Sequence, residues 1–253
     1  MLTGTEDVVV VLLIVLCSLL FKAVVDRLWT REHRRAHNDL IGWQLSIIGT
    51  TYAVILGFML YTVWTDFQAA SANADAEANS VMNIYRLAEG LPAPQRDELK
   101  QMARAYVDAV INQDWPAMAR GEVSMAASHP VSMKMWQILM SVKGASPTEI
   151  TAEDHALYEL SAMSEHRRIR QLQNAERLPA VLWFVLILGA ALTMMSSCMF
   201  GAESSLLHSL QVFAFSLLIA LALVAIGDID RPYQGSVSVA NTAFRRAETS
   251  MND

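Results

Sequence analysis

Four uninterrupted apolar stretches constrain this 253-residue chain more than any other feature of its sequence. Each stretch is long enough to cross the hydrocarbon core of a bilayer as a helix, which takes about 20 residues. The four stretches cover residues 8–25, 45–64, 178–200 and 206–226. A water-soluble single domain is therefore excluded, and the sequence predicts a multi-pass membrane protein.

The residues between these stretches predict helices and no strands, because they lack alternating β-branched runs joined by hairpin turns. We therefore expect an all-α polytopic membrane protein with four transmembrane helices, whose long helical extensions form an extramembrane helical domain. The expected segments are a first transmembrane helix (1–28), a basic loop (29–43), a second transmembrane helix with its extension (44–89), short helices of the extramembrane domain (90–147), a helical extension with the third transmembrane helix (148–200), a short turn with the fourth transmembrane helix (201–227) and a C-terminal tail (228–253).

Two segments that flank the extramembrane domain predict long helices. No Gly or Pro occurs between Phe58 and Glu89, so this helix should extend far beyond the membrane. The other helix should begin with a capping box at residues 146–149, where the sequence reads Ser-Pro-Thr-Glu. From there we expect one continuous helix through the third transmembrane span, bent where Pro179 enters the membrane.

Charge and cysteine content exclude several classes of function. A net charge of −6 leaves no basic surface for nucleic acid. Cys17 and Cys198 both lie inside apolar stretches, so they indicate neither a disulfide framework nor a metal site. The sequence also contains no phosphate-binding glycine loop, zinc-protease motif or triad-like arrangement. We therefore expect a protein that is not an enzyme and that has no cofactor or metal.

Small residues recur at every fourth position on one face of two spans, where they would let neighbouring helices approach closely. These residues are Gly49, Ala53 and Gly57 in the second span, and Gly189, Thr193 and Ser197 in the third. We expect both sets to pack helix against helix.

Another face of the long helix is polar at both ends and apolar in its middle. At 100° per residue, this stripe comprises Gln44, Ile48, Thr51, Ile55, Met59, Thr62, Asp66, Asn73, Glu77 and Ser80, and the last eight are the expected pore-lining residues. The pattern is typical of a water-filled pore with a hydrophobic constriction, here at Ile55 and Met59, because polar side chains in lipid are costly unless they face a cavity. The alternative is that the residues beyond the membrane form an ordinary solvated face.

Four polar residues near the membrane boundary form a candidate ion site or a set of helix caps. His37, Asn38 and Asp39 precede the second span and His208 begins the fourth, so the topology places all four at the same face of the membrane. Capping is the favoured interpretation, because Asn and Asp are strongly preferred at helix N-termini.

Several motifs resemble those of the bacterial bestrophin-like membrane protein family of unknown function. They include His37-Asn38-Asp39, Tyr85-Arg86-Leu87-Ala88, Asp114-Trp115-Pro116 and Asp230-Arg231-Pro232-Tyr233. We take Arg86, Asp230, Arg231 and Pro232 as the family-motif residues, whereas Tyr233 stands where the family more often has Phe. The resemblance implies distant kinship with bestrophins, which are pentameric channels lined by the second span and its extension.

The stripe and the resemblance together predict an oligomeric ion channel in the bacterial inner membrane, with a pore lined by the second transmembrane helix and its extension. The expected partners are further copies of the chain, with a pentamer as the best guess, the lipid bilayer and inorganic ions. Carboxylates at Asp66 and Glu77 would favour cations, whereas bestrophin kinship favours anions. The alternative is a membrane-anchored signalling or scaffold protein that uses the helical domain as a binding surface.

The charges around the first span predict the orientation of the chain. Glu6 and Asp7 precede this span and several arginines follow it, which favours a cytoplasmic position for the basic loop. Both termini and the helical domain are then expected outside. Two features oppose this orientation: bestrophin kinship implies cytoplasmic termini, and arginines crowd the start of the third span at Arg167, Arg168, Arg170 and Arg177.

Overall fold

The structure is a computed structural model that describes residues 4–122 and 126–252. Parts of the expected segments 1–28, 90–147 and 228–253 fall on residues outside these ranges. Every regular element of the described chain is helical, which confirms the all-α fold class. The helices are α1 (Gly4–Leu28), α2 (Arg31–Ala36), α3 (Asn38–Leu87), α4 (Ala93–Ala109), α5 (Trp115–Ala119), α6 (Ser128–Met140), α7 (Pro147–Ala175), α8 (Ala180–Cys198), α9 (Ser205–Ile229) and α10 (Thr242–Asn252), with a 3₁₀ turn at Ala88–Gly90 and a π-helical turn at Val110–Asp114.

Four of the described helices are long and apolar enough to span a membrane, as the sequence predicts. They are α1, α3, α8 and α9. The chain divides into two compact units. The membrane unit comprises Leu2–Thr65 and Arg177–Asp230, and the extramembrane unit comprises Asp66–Glu176 and Arg231–Asp253.

Helix α3 belongs to both units and has no break in its 50 residues. At 1.5 Å per residue it is about 75 Å long, well over twice the thickness of a bilayer core. Its last turn tightens to a 3₁₀ turn at Ala88–Gly90, and Leu91 is extended ahead of Pro92. The prediction of a long uninterrupted helix is confirmed for this segment.

The matching prediction for the third span is wrong. Helix α7 does begin with the predicted capping box: Ser146 Oγ accepts from the Glu149 N–H at 3.2 Å, and the Glu149 carboxylate accepts from the Ser146 N–H at 3.1 Å. The helix ends at Ala175, however, and α8 begins only at Ala180. Proline disfavours helical geometry in the residue before it, and the N–H of that residue, Leu178, is donated to the Asp230 carboxylate at 2.9 Å.

Two segments expected to be irregular contain helices. Helix α2 lies in the expected basic loop, and α10 lies in the expected C-terminal tail. Spacing explains α10, because Phe244, Ala247 and Met251 recur at helical intervals and are buried in the extramembrane core.

The membrane unit contains a cluster of three charged side chains, of which Lys22 and Arg34 are buried. The Asp26 carboxylate lies 2.7 Å from Lys22 Nζ and 2.5 Å from Arg34 Nη2. Arg34 also donates to the carbonyl oxygen of Cys198, the last residue of α8, at 3.5 Å and to that of Phe200, two residues beyond the helix, at 3.4 Å. Arg34 is 1% exposed, so it is a packing residue as well as a basic residue of the loop.

Only part of the small-residue pattern packs inside the chain. A Cβ atom added to Gly189 would lie 2.4 Å from the Tyr52 ring, and one added to Gly49 would lie 4.0 Å from Thr193 Cγ2. Thr193 is buried and donates to the Gly189 carbonyl, while Ser197 is half-buried. Ala53 and Gly57, in contrast, are exposed on the single chain.

The Gly189–Tyr52 contact leads to a stability prediction. Gly189→Ala should destabilise the protein by about 1–3 kcal/mol, because the ring has no room for the methyl group. Gly4→Ala is the control, since a Cβ atom added there meets nothing within 4 Å. The control should be neutral or slightly stabilising, because alanine is the better helix former. Thermal unfolding in detergent measures both variants, and a larger loss for Gly4→Ala would contradict this assignment.

Candidate functional site

The predicted pore stripe begins in the membrane-spanning part of α3. Thr51 and Thr62 are exposed there, and Thr62 Oγ1 donates to the Phe58 carbonyl of its own helix at 2.9 Å. Ile55 and Met59 are half-buried and pack against a cluster of Val63, Leu186 and Ile226. The two residues expected at the constriction therefore contact the chain's own helices on part of their surface.

The stripe does not continue as predicted beyond Asp66. Asp66 is exposed, but Asn73, Glu77 and Ser80 are 9%, 0% and 6% exposed in the extramembrane unit. They can line neither a pore nor a solvated face, so both interpretations are wrong for these three residues. The physical reason is that this face of α3 packs against other helices of the same chain.

Asn73 shows how this packing is achieved. Its amide donates to the His166 carbonyl at 2.8 Å, and its Oδ1 lies 2.8 Å from His166 Nδ1 on helix α7. Two hydrogen bonds to one residue fix the register between α3 and α7.

Glu77 forms the centre of a buried ion network. Arg170 donates to it twice, from Nε to Oε2 at 2.7 Å and from Nη2 to Oε1 at 3.0 Å. Tyr106 donates its hydroxyl to Glu77 Oε1 at 2.7 Å. Both side chains of the ion pair are 0% exposed. Two parallel bonds between a guanidinium and a carboxylate form the strongest common ion-pair geometry.

Asp114 provides the second carboxylate of the network. Its Oδ2 lies 3.3 Å from Arg170 Nη2 and accepts the Ser128 hydroxyl at 2.6 Å, while its Oδ1 accepts the Ala127 N–H at 2.7 Å. Asp114 ends the π-helical turn between α4 and α5, which adds a residue to the helical turn there. The Arg170 guanidinium also lies 5.6 Å from the Trp115 ring, within range of a cation–π interaction.

This arrangement shifts the pKa values of Arg170 and Tyr106. Burial alone would lower the pKa of Arg170, but the charge and hydrogen bonds of Glu77 raise that pKa above the ordinary value for arginine. Burial raises the pKa of Tyr106 well above its usual range, and the negative charge of Glu77 adds to the effect. Because the folded-state pKa of Arg170 exceeds the unfolded value, the contribution of its charge to stability is present at neutral pH and is lost when Arg170 deprotonates at strongly alkaline pH.

Spacing could have revealed this network from the sequence. On α7, the buried apolar residues Ala156, Leu160 and Met163 continue at the same helical intervals into Arg167 and Arg170. Charged residues on an otherwise apolar stripe indicate buried, paired charges. Arg167 and Arg170 are 9% and 0% exposed, so they do not act as solvated charges at the membrane boundary.

The predicted ion site does not form. His37 Nδ1 is 2.8 Å from the His33 carbonyl, and His208 Nε2 is 3.0 Å from the Ser197 carbonyl. Asn38 does not cap its helix through its side chain but binds the backbone of Gly201 in both directions, at 3.0 and 2.9 Å. Asp39 is exposed in the first turn of α3. Across residues 4–122 and 126–252, no group of three His, Cys, Asp or Glu side chains could hold a metal ion.

The C-terminal motif residues are held by hydrogen bonds to or from backbone groups. Asp230 binds the Leu178 N–H as described above, in the membrane unit. In the extramembrane unit, the carbonyls of Arg231 and Pro232 accept the N–H groups of Gln234 and Val239 at 2.9 and 2.7 Å. Arg86 is exposed and lines a cleft beside α10.

A groove in the membrane unit exposes further polar groups. It encloses about 550 Å³, and its lining includes Ser46, Thr50, Ser197, His208 and Gln211. Polar side chains at the surface of a span are costly in lipid, so this surface favours contact with protein or water.

A family model for the Bestrophin-like domain matches residues 12–244. The chain belongs to the Bestrophin-like family. A crystal structure of a mutant bacterial bestrophin homolog from Klebsiella pneumoniae has a similar fold, with a TM-score of 0.75 at 10% identity, and the match covers 96% of this chain and 99% of that chain. A second mutant of the homolog gives a TM-score of 0.64 at 10% identity over 95% and 97% of the two chains.

A crystal structure described only as a membrane protein gives a TM-score of 0.65 at 11% identity, over 94% of this chain and 95% of that chain. Comparison with curated protein sequences finds no significant match. These TM-scores establish a shared fold, and together with the family model they confirm the predicted resemblance.

The buried network leads to a second stability prediction. Glu77→Gln should cost about 3–5 kcal/mol, because Arg170 would lose its closer, two-bond carboxylate partner while remaining shielded from water, with only Asp114 left at 3.3 Å. Asp75→Asn is the matched control on the same helix, because Asp75 is exposed, and it should change stability by less than about 0.5 kcal/mol. Denaturant unfolding in detergent compares the two, and equal stability of both variants would show that Glu77 is not essential to the core.

Proposed function

We propose that this Bestrophin-like protein is an ion channel of the bacterial inner membrane, formed by several copies of the chain around α3. The observation that carries the proposal is the exposure of polar side chains on α3 inside a membrane span. Thr51 is exposed, and within the described chain its hydroxyl has no hydrogen-bond partner. Water in a pore would supply that partner, whereas lipid would not. The bestrophin fold supports the same function.

The proposed pore face keeps Thr51, Thr62 and Asp66 of the predicted stripe and adds Phe58. Thr51, Phe58 and Thr62 follow one another at intervals of seven and four residues, which places them within about 40° on the helix. Phe58 is 65% exposed, in contrast to the half-buried Met59. We therefore assign the hydrophobic constriction to Phe58, with Ile55 and Met59 at its edge.

Surfaces that are exposed on the single chain also support assembly of several copies into an oligomer. Ala53 and Gly57 are small and exposed, and the polar groove of the membrane unit is open on the single chain. Contact with neighbouring copies would cover both, as small residues favour close helix packing in lipid. A pentamer is the proposed assembly because of kinship with bestrophins. The alternative function, a membrane-anchored signalling or scaffold protein, needs no pore.

The constriction gives a conductance prediction. Phe58→Ser should raise single-channel conductance, because a ring of serines is more easily wetted than a ring of phenylalanines. Met59→Ser, next in sequence but half-buried, should raise it less. Recordings of the purified protein in planar bilayers measure both variants. If neither variant differs from a conducting parent, the pore is not lined by this face of α3, and a parent that conducts no ions would favour the scaffold function.

Asp66 gives a selectivity prediction. It follows Thr62 by about one turn of α3 and is exposed, so each copy would contribute one carboxylate to a ring. Asp66→Lys reverses the sign of the ring and should shift selectivity from cations towards anions. The measurement is the reversal potential under a salt gradient. Asp75→Asn is the control outside the proposed pore face, and a reversal potential that Asp66→Lys leaves unchanged would remove Asp66 from the pore.

A further inference from the structure

We infer that the extramembrane unit binds a small phosphate-bearing molecule in a cleft between α3 and α10. The cleft encloses about 310 Å³, near the lower limit for small-molecule sites. Its polar lining comes from Asp75, Asn79 and Arg86 on α3 and from Arg246 and Ser250 on α10.

Unpaired positive charge is the main reason for this assignment. Arg86 and Arg246 both line the cleft, and within the described chain neither guanidinium has a carboxylate within 4 Å. The buried Arg170, in contrast, binds two carboxylates. Guanidinium groups match the oxygen geometry of phosphate and bind it through charge-assisted hydrogen bonds.

The remaining polar groups narrow the ligand class. The Asn79 amide and the Ser250 hydroxyl can donate to further phosphate oxygens. Asp75 cannot bind phosphate, but its carboxylate can accept a hydrogen bond from a hydroxyl group. A small phosphate ester that also carries hydroxyl groups can bind the arginines through its phosphate and the Asp75 carboxylate through a hydroxyl group.

The walls of the cleft are held in place independently of any ligand. Tyr85, the neighbour of Arg86, donates its hydroxyl to the Met251 carbonyl at 3.0 Å, close to the end of α10. Arg104 donates to the same carbonyl at 2.7 Å and to the Tyr85 hydroxyl at 2.7 Å. These bonds fix the C-terminal turn of α10 against α3, so the two arginines are held on a rigid frame.

A soluble ligand is favoured over a lipid headgroup. Arg86 lies 21 residues beyond Thr65 in the same unbroken helix, which is about 32 Å along the helix axis. That distance places the arginine outside the polar headgroup region if Thr65 marks the end of the membrane unit.

The test is isothermal titration of inorganic phosphate into the full-length protein in detergent. Arg246→Gln and Arg86→Gln should each weaken binding by about tenfold or more, the loss expected for one charge-assisted bond. Arg245→Gln is the matched control: Arg245 precedes Arg246 on α10, has the same charge and is exposed, but it does not line the cleft. It should weaken binding by less than about twofold. Asp75→Asn should tighten binding of inorganic phosphate, because a repelling charge is removed.

Several results would overturn the proposal. One is the absence of phosphate binding by the folded parent, and another is equal weakening by Arg245→Gln and Arg246→Gln, which would indicate diffuse surface charge. A third is loss of the oligomer in Arg86→Gln with phosphate binding unchanged, since the arginine would then pair with another copy. Binding only in nanodiscs that contain phosphatidic acid would transfer the site to a lipid headgroup. None of these measurements requires ion conduction, so the site can fail while the channel function holds, and the reverse.

Discussion

A guanidinium group that is shielded from water needs a negatively charged partner and hydrogen-bond acceptors for its N–H groups. Arg170 is such a group, so the helices of the extramembrane unit must pack in a way that brings carboxylates to it. Its partners come from distant parts of the chain: Glu77 from α3 and Asp114 from the turn between α4 and α5. Removing one partner of a buried pair costs far more than the pair contributes relative to an apolar replacement. The network therefore restricts how α3, α4 and α7 can pack, more than it adds to stability.

The membrane unit contains a smaller cluster that follows the same rule. Asp26 lies between two cations, Lys22 and Arg34, and Arg34 also satisfies carbonyl oxygens at the end of α8. Charges in or near a span are tolerated when they are paired with one another or with backbone carbonyls. The basic loop after the first span consequently has a structural function in packing the membrane unit.

Much of the fold follows from the sequence because it rests on local patterns. Apolar length predicts the four spans, and the capping box at Ser146 predicts the start of α7. The break at residues 176–179 was harder to predict, because proline permits either a bend or a complete interruption, and the choice depends on Asp230, 52 residues away. The face of α3 beyond Asp66 was assigned wrongly for a similar reason. Helical periodicity shows that Asn73, Glu77 and Ser80 share a face, but only their partners on other helices show that this face is buried.

The chain passes between its two units at three points, and the backbone differs among them. At residues 65 and 66 the connection is the interior of α3, with continuous backbone hydrogen bonds. At residues 176 and 177 it is extended chain ahead of Pro179, and at residues 230 and 231 it lies just past the end of α9. Because each residue of an α-helix is rotated by a fixed 100° from the one before it, the faces of α3 keep one angular register across this boundary. The direction of the Asp66 side chain is therefore tied to that of Thr62, about one turn earlier in the same helix.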